Sequence, residues 1–259
     1  MPSEPIRTIA SGDARAAPLI LALDSAGSSC AAAVAAGDEV LAAAHFPIAH
    51  GQAEALLPLV ERVMREARVV APAIELVVVT TGPGSFTGIR VGLAAARGIA
   101  LGLDVPLFGV TGFDAALSAV GDNDARAEAA TKPLLVALES RRADLYIRLF
   151  DAMRRPQCSA AALLPDALCD TVAGVFGKTR LAITGDAASR AAAALAVGGI
   201  PGVVVEGAPP VVGALRAALR RWRRGAGENG GENGSSATPF YLRPPDVTVT
   251  AGAIPVVAR

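Results

Sequence analysis

Short apolar runs alternate with amphipathic stretches along most of this chain, and the period of the pattern changes several times. Leu19-Ile20-Leu21-Ala22-Leu23 is continuously apolar and ends at Asp24, which predicts a short buried strand followed by turn chemistry at Ser25-Ala26-Gly27-Ser28. Residues 30–36 and 39–46 are split by Gly37-Asp38 and predict two further strands joined as a hairpin. At residues 52–67 the period becomes helical. Leu56, Val60, Val63 and Ala67 form one stripe flanked by Leu57 and Met64, with Glu61, Arg62, Arg65 and Glu66 opposite. Pro58 either lies in the first turn of this helix or kinks it. The β-branched run 75–80 predicts a buried strand of the parallel-sheet kind. A glycine-rich turn at 82–88, a long helix to about residue 103 and a strand at 106–110 follow.

A second unit begins near Pro133, with strands at 134–138 and 145–150 around a turn at 141–144. Strands at 181–184 and 203–205 flank an alanine-rich helix at 187–196. Residues 208–224 form a basic amphipathic helix with Val212, Leu215, Leu219 and Trp222 on one side. The composition of 225–238 predicts a flexible linker, and Phe240-Tyr241-Leu242-Arg243-Pro244-Pro245 an extended tail. Strands interleaved with helices predict an α/β fold with mixed sheets.

Composition narrows the chemistry. Lysine plus arginine and aspartate plus glutamate both count 24, so the basic excess of a free-standing nucleic-acid binder is missing. Any RNA contact is then local, through Arg216, Arg220, Arg223 and Arg224, or supplied by a partner; a solvated helix face is the alternative reading of that cluster. Cys30, Cys158 and Cys169 are odd in number and contain no C-x-x-C pair, which argues against a disulfide framework or a zinc knuckle. Residues 1–17 read as a flexible leader without the apolar core of a secretory signal, and 91–110 is broken by Arg97 and Asp104 as a membrane span. A cytoplasmic location is the default expectation.

The turn at 82–88 carries the candidate chemistry. Backbone N–H groups at a strand-to-helix turn suit an anion, which makes Asp24, Ser25, Gly82, Gly84 and Ser85 candidate anion- or nucleotide-binding residues; a tight structural connection is the alternative. No Gly-Lys-Ser/Thr follows, so it is not a Walker A loop. Pro83 and Thr87 stand where a serine nucleophile elbow needs glycine. His45 and His50 read as packing or capping residues. In the helix that follows, Gly88, Gly92, Ala96 and Ala100 recur every four residues, and Gly98 and Gly102 add a second small pair. Each interior glycine costs roughly 1 kcal/mol relative to alanine, so close approach of a neighbour is expected to offset it. That neighbour is internal, such as the 52–67 helix, or belongs to another chain. The second reading sets the expected partner interface at Leu56, Val60, Val63, Met64, Gly88, Ile89, Arg90, Gly92, Leu93, Ala96 and Ala100.

The run Gly82-Pro83-Gly84-Ser85-Phe86-Thr87-Gly88-Ile89-Arg90-Val91-Gly92 resembles the hallmark of the TsaB (YeaZ) family. Leu23-Asp24-Ser25, His50-Gly51-Gln52 with Leu57-Pro58, residues 97–107, the segment 139–146 and the tail Tyr241-Leu242-Arg243-Pro244 are similar to further family segments. The resemblance spans 19–245 and is dense over 19–115. It implies an actin/Hsp70-like (ASKHA) fold of two RNase H-like lobes, expected at 18–115 and 116–207. The helix 208–224 is expected to pack back on the first lobe, with 225–259 as linker and tail. It also implies a partner subunit, not catalytic alone, that pairs with a TsaD-type transferase and a TsaE-type ATPase. Together they add threonylcarbamoyl to adenosine 37 of tRNAs reading codons that begin with A. Homodimers through the same face and contact with tRNA inside the complex belong to that expectation, and no membrane does. In TsaD itself two histidines four residues apart hold a metal; Gly112 and Ala116 stand at the matching positions here. The resemblance therefore implies no metal or cofactor in this chain, with ATP and metal in its partners. A glycoprotease-like peptidase, an ATP-binding enzyme acting alone and a homodimeric scaffold are the alternative functions.

Overall fold

The computed structural model describes residues 17–48, 51–120, 131–225 and 237–243. The chain begins with three strands, β1 (Leu19–Asp24), β2 (Ser29–Ala36) and β3 (Glu39–Pro47), paired antiparallel in sequence. Gly37 turns the second hairpin at φ 57, a conformation glycine adopts without strain. Helix α1 (Gln52–Ala67) leads through a short 3₁₀ turn to β4 (Leu76–Thr80), which pairs parallel with β1. Pro58 lies inside α1, beyond its first turn. Helix α2 (Phe86–Leu103) then carries the chain to β5 (Leu107–Val110), parallel to β4. The order is β3-β2-β1-β4-β5.

Helix α3 (Gly112–Ala119) leads toward the second sheet, built from β6 (Leu134–Glu139), β7 (Leu145–Phe150), β8 (Ala161–Leu163), β9 (Leu181–Thr184) and β10 (Gly202–Val204). Helices α4 (Pro165–Phe176) and α5 (Ala188–Val197) connect its later strands. Its order, β10-β9-β6-β7-β8, is the first sheet's order repeated, with the same two antiparallel and two parallel pairings. Two RNase H-like lobes in tandem make the actin/Hsp70-like architecture. The last helix, α6 (Pro210–Gly225), returns to the first lobe.

Strand periodicity decides what each sheet face buries. Leu19, Leu21, Leu23, Val77 and Val79 face α1 and α2, whereas Ile20, Ala22, Leu76 and Val78 face α6. In the second lobe Leu135, Ala137, Ile147 and Ile183 pack on α4 and α5, and Leu134, Val136 and Tyr146 pack on Phe113 and Ala116 of α3. The alanine-rich composition lets backbones approach closely, as where a Cβ on Gly213 of α6 would lie 2.0 Å from the Ala115 carbonyl of α3. Among the described residues, α2 is the one helix long and apolar enough to cross a membrane, and it packs on the first lobe's core.

Helices α3 and α4 and strand β8 were not expected from the pattern. The apolar and small residues of α3 fall on most sides of a short helix that packs on both lobes, so no stripe stands out. The remaining boundaries differ from expectation by one or two residues, within the usual fraying of ends.

Candidate functional site: the interlobe seam and the outer face of α2

Three segments of the first lobe meet where the lobes face each other: the turn after β1, the loop 82–88 after β4, and the start of α2. Asp24 ends β1 and is buried. Its Oδ1 accepts from Thr80 Oγ1 at 2.5 Å and from the Ala26 amide at 3.0 Å. Burial pushes its carboxyl above the usual range; Thr80 and the Ala26 amide pull it back in part, and nearby Asp186 adds to the rise. Behind it, burial and then Asp24 push the Cys30 thiol up to about 11.

The loop turns its own donors inward. The Ser85 amide donates to the Ala26 carbonyl at 2.8 Å, and the Gly88 amide to Ser85 Oγ at 3.2 Å. Ser85 is therefore an N-cap, with its hydroxyl engaged as a helix cap rather than presented as a nucleophile. Gly84 lies against Ala26, where an added Cβ would come within 2.0 Å of the carbonyl oxygen. Gly82, at φ 110, is pressed by the Phe240 carbonyl and the Ile89 side chain. The structure thus brings Asp24, Ser25, Gly82, Gly84 and Ser85 together in a tight strand-to-helix connection.

The expected partner interface requires correction. Gly88, Ile89, Gly92, Leu93, Ala96 and Ala100 are buried, as are Leu56, Val60 and Val63 of α1. They line the first lobe's own core. The small-residue stripe exists because the turn after β1 passes directly over it. A Cβ on Gly88 would lie 2.0 Å from the Ser25 carbonyl, and one on Gly92 would lie 2.7 Å from Ser25 Oγ. Of the expected set only Arg90 is exposed, and Met64 is half-exposed. The face that α2 does present carries Ala94, Gly98, Leu101 and Gly102, with Leu101 85% exposed. A Cβ at Gly98 or Gly102 would meet no described atom within 4 Å. Leu57 on α1 is 54% exposed.

The second lobe closes on this seam with polar groups that the sequence did not single out. Ser28 Oγ donates to Asp186 Oδ2 at 2.9 Å, and Asp186 Oδ1 accepts from the Glu139 amide. Arg141 donates to the carbonyls of Gly27 (2.8 Å) and Ile48 (3.1 Å). Arg190 pairs with Glu139 and donates to the Arg142 and Ala143 carbonyls, pinning the turn before β7. Residues so far apart in sequence reveal no spacing pattern. The Gly185-Asp186 pair closing the strand 181–184 was the available signal.

At the matching metal positions, Gly112 opens α3 and its Cβ would meet Leu138 Cδ1 at 3.0 Å, while Ala116 is buried against the second lobe. Among the described residues no group of three or more His, Cys, Asp or Glu side chains could hold a metal ion. His45 is exposed on β3, and His50 lies outside the described residues. The basic cluster of α6 is engaged at Arg220, which bonds Ser118, and at Arg223, which pairs with Asp38 at 2.6 Å. Arg221 pairs with Asp114 at 3.0 Å, and Arg216 is half-buried. The side chain of Arg224 lies outside the described residues.

Residues 48–170 match the family model of TsaD, tRNA N6-adenosine threonylcarbamoyltransferase. The tRNA threonylcarbamoyladenosine biosynthesis protein TsaB of Escherichia coli K12 is 31% identical over 128 residues. Over this stretch the chain is similar to TsaB. That match covers 49% of this chain and 52% of the Escherichia coli protein, so the chain spans about half the length of the curated TsaB it matches. A tRNA N6-adenosine threonylcarbamoyltransferase of Nitratidesulfovibrio vulgaris is 44% identical over 64 residues, covering 25% of this chain and 18% of the transferase. YeaZ from Pseudomonas aeruginosa superimposes with a TM-score of 0.66 at 24% identity, over 87% of this chain and 100% of that one. At that identity the likeness to YeaZ establishes the shared two-lobed fold.

Proposed function

We propose that this TsaB relative is an accessory subunit of tRNA threonylcarbamoylation, which supports a TsaD-type transferase and is not catalytic alone. The observation that carries the reading is the outer face of α2, where Leu101 is exposed beside Gly98 and Gly102, at which an added Cβ would meet no described atom within 4 Å; Leu57 of α1 is exposed as well. Exposed apolar side chains beside small residues let a partner helix approach closely and gain contact area. The relatives named for threonylcarbamoyladenosine biosynthesis support the pathway. Ser85's role as a helix cap, with Pro83 and Thr87 at the elbow positions, weighs against a serine peptidase acting alone. Such work belongs in the cytoplasm, with a TsaE-type ATPase, tRNA, ATP and metal supplied by the rest of the assembly. The same face suits a second copy of the chain when the partner is missing.

Reconstitution tests this. Threonylcarbamoyl transfer is measured with TsaD-type and TsaE-type subunits, tRNA and a threonylcarbamoyl donor, with and without this chain. Transfer that depends on the chain is expected. Full transfer in its absence overturns the proposal, and transferase activity of the chain alone overturns its non-catalytic part. Size-exclusion chromatography with and without the TsaD-type subunit reports whether the homodimer competes for the face.

A further inference from the structure

The two lobes are joined side by side where Val120 bridges to Gly207 and the Ala208 amide donates to the Ala119 carbonyl at 2.8 Å. Residues 237–243 cross the seam separately. On the first lobe, the Phe240 amide donates to the Thr81 carbonyl at 2.8 Å, and Arg97 donates to the Ala237 carbonyl at 2.8 Å. The Tyr241 ring packs on Phe86 with centroids 5.2 Å apart, and Tyr241 Oη accepts from Arg90 Nε at 3.3 Å. The Arg90 guanidinium lies 3.7 Å over the Phe86 ring. On the second lobe, Arg243 pairs at 3.0 Å with Asp144, which is only 2% exposed. Phe240 and Leu242 pack on the α3–β6–β7 cluster, whereas Ala237 and Tyr241 pack on the first lobe's core. Neighbouring side chains of one short segment thus grip different lobes.

The geometry points to residues 237–243 as a releasable strap that holds the lobes closed about a hinge at Val120 and Gly207, with Arg243–Asp144 as its latch. None of the strap residues is fully buried, and the segment is held to the first lobe through local contacts such as the Phe240–Thr81 bond rather than as a strand of its sheet. The strap therefore sits at the low end of local stability. Asp144 sits on the other side. It is buried, its Oδ1 accepts from Ser140 Oγ at 2.9 Å, and its Oδ2, which accepts no hydrogen bond, lies 3.0 Å from the Arg243 guanidinium as an ion pair. Releasing Arg243 leaves a buried carboxylate oxygen without its cation, which favours opening of the 140–144 turn to water. Strap release and opening of the 140–144 turn are therefore coupled.

Hydrogen exchange on the full chain tests it, with the double variant Tyr241→Ala/Arg243→Ala and with Arg243→Lys. In the double variant, amides of 24–28 and 139–144 are expected to exchange about tenfold faster, while β1, β4 and β6 stay protected. Small-angle scattering should show a larger radius of gyration, and Arg243→Lys should restore most of the protection. Faster exchange confined to 237–243 overturns the proposal, because the segment is then a passive tail. Loss of protection throughout both sheets also overturns it, because the segment is then part of the global fold.

Discussion

Ser25 Oγ donates to the Gly88 carbonyl at 2.8 Å, joining the turn after β1 to the first turn of α2 across 63 residues of sequence. The hydroxyl thereby occupies the space that a side chain at Gly92 would need. This contact explains why glycine recurs on the inner side of α2, and it separates the helix's glycines into two kinds.

Gly88→Ala and Gly92→Ala should each destabilise the fold, by about 1–3 kcal/mol as for overpacked sites, with Gly88 the more severe because it meets backbone. Gly98→Ala should stabilise it by up to about 1 kcal/mol, since the added methyl meets no described atom and alanine favours the helix. Gly102→Ala should gain less, at the fraying end. Urea denaturation midpoints of the four variants check this ordering.

The corrected surface of α2 predicts a division between folding and pairing. Leu101→Arg should leave circular dichroism and melting temperature near those of the parent while weakening capture by a TsaD-type subunit at least tenfold. Ile89→Arg should lose the fold, since it places a charge in the core. Undiminished capture of the folded Leu101→Arg chain would remove this face from the interface.

Asp24 makes stability depend on pH in a defined direction. Its folded-state value lies above 3.8, so the folded chain binds more protons than the unfolded one as pH rises from that point. Unfolding free energy from this group falls with pH through the window between the two values, then stays lowered. The substitution Asp24→Asn keeps an Oδ1 acceptor for Thr80 and Ala26 without a charge. The stability of Asp24→Asn relative to the parent should therefore rise as pH climbs above the ordinary carboxylate range, measured by urea titration across a pH series. A difference independent of pH would show that the carboxyl is not held up by burial.

Cys30 should be silent to thiol reagents in the native state, because burial and a thiol raised to about 11 both suppress the thiolate. Cys158 and Cys169 are half-exposed and should react first. Mass spectrometry after iodoacetamide labelling, with and without urea, distinguishes the three.

The local pattern by itself determined the strands and helices whose burial has one clear period, such as β1, β4 and the stripe of α1. Side-chain direction follows there from backbone geometry alone. It also raised the expectation that the glycines of α2 meet a close neighbour, which holds for Gly88 and Gly92 but not for Gly98 and Gly102. Only the tertiary structure decided what that neighbour is: the chain's own Ser25 turn, with the outward face of α2 carrying Gly98, Leu101 and Gly102 instead. The same holds for Arg141, Asp186 and Arg243. Their roles depend on which carbonyl or carboxylate lies opposite, and residues far apart along the chain are brought together by the packing of two sheets, which no spacing along a single chain records.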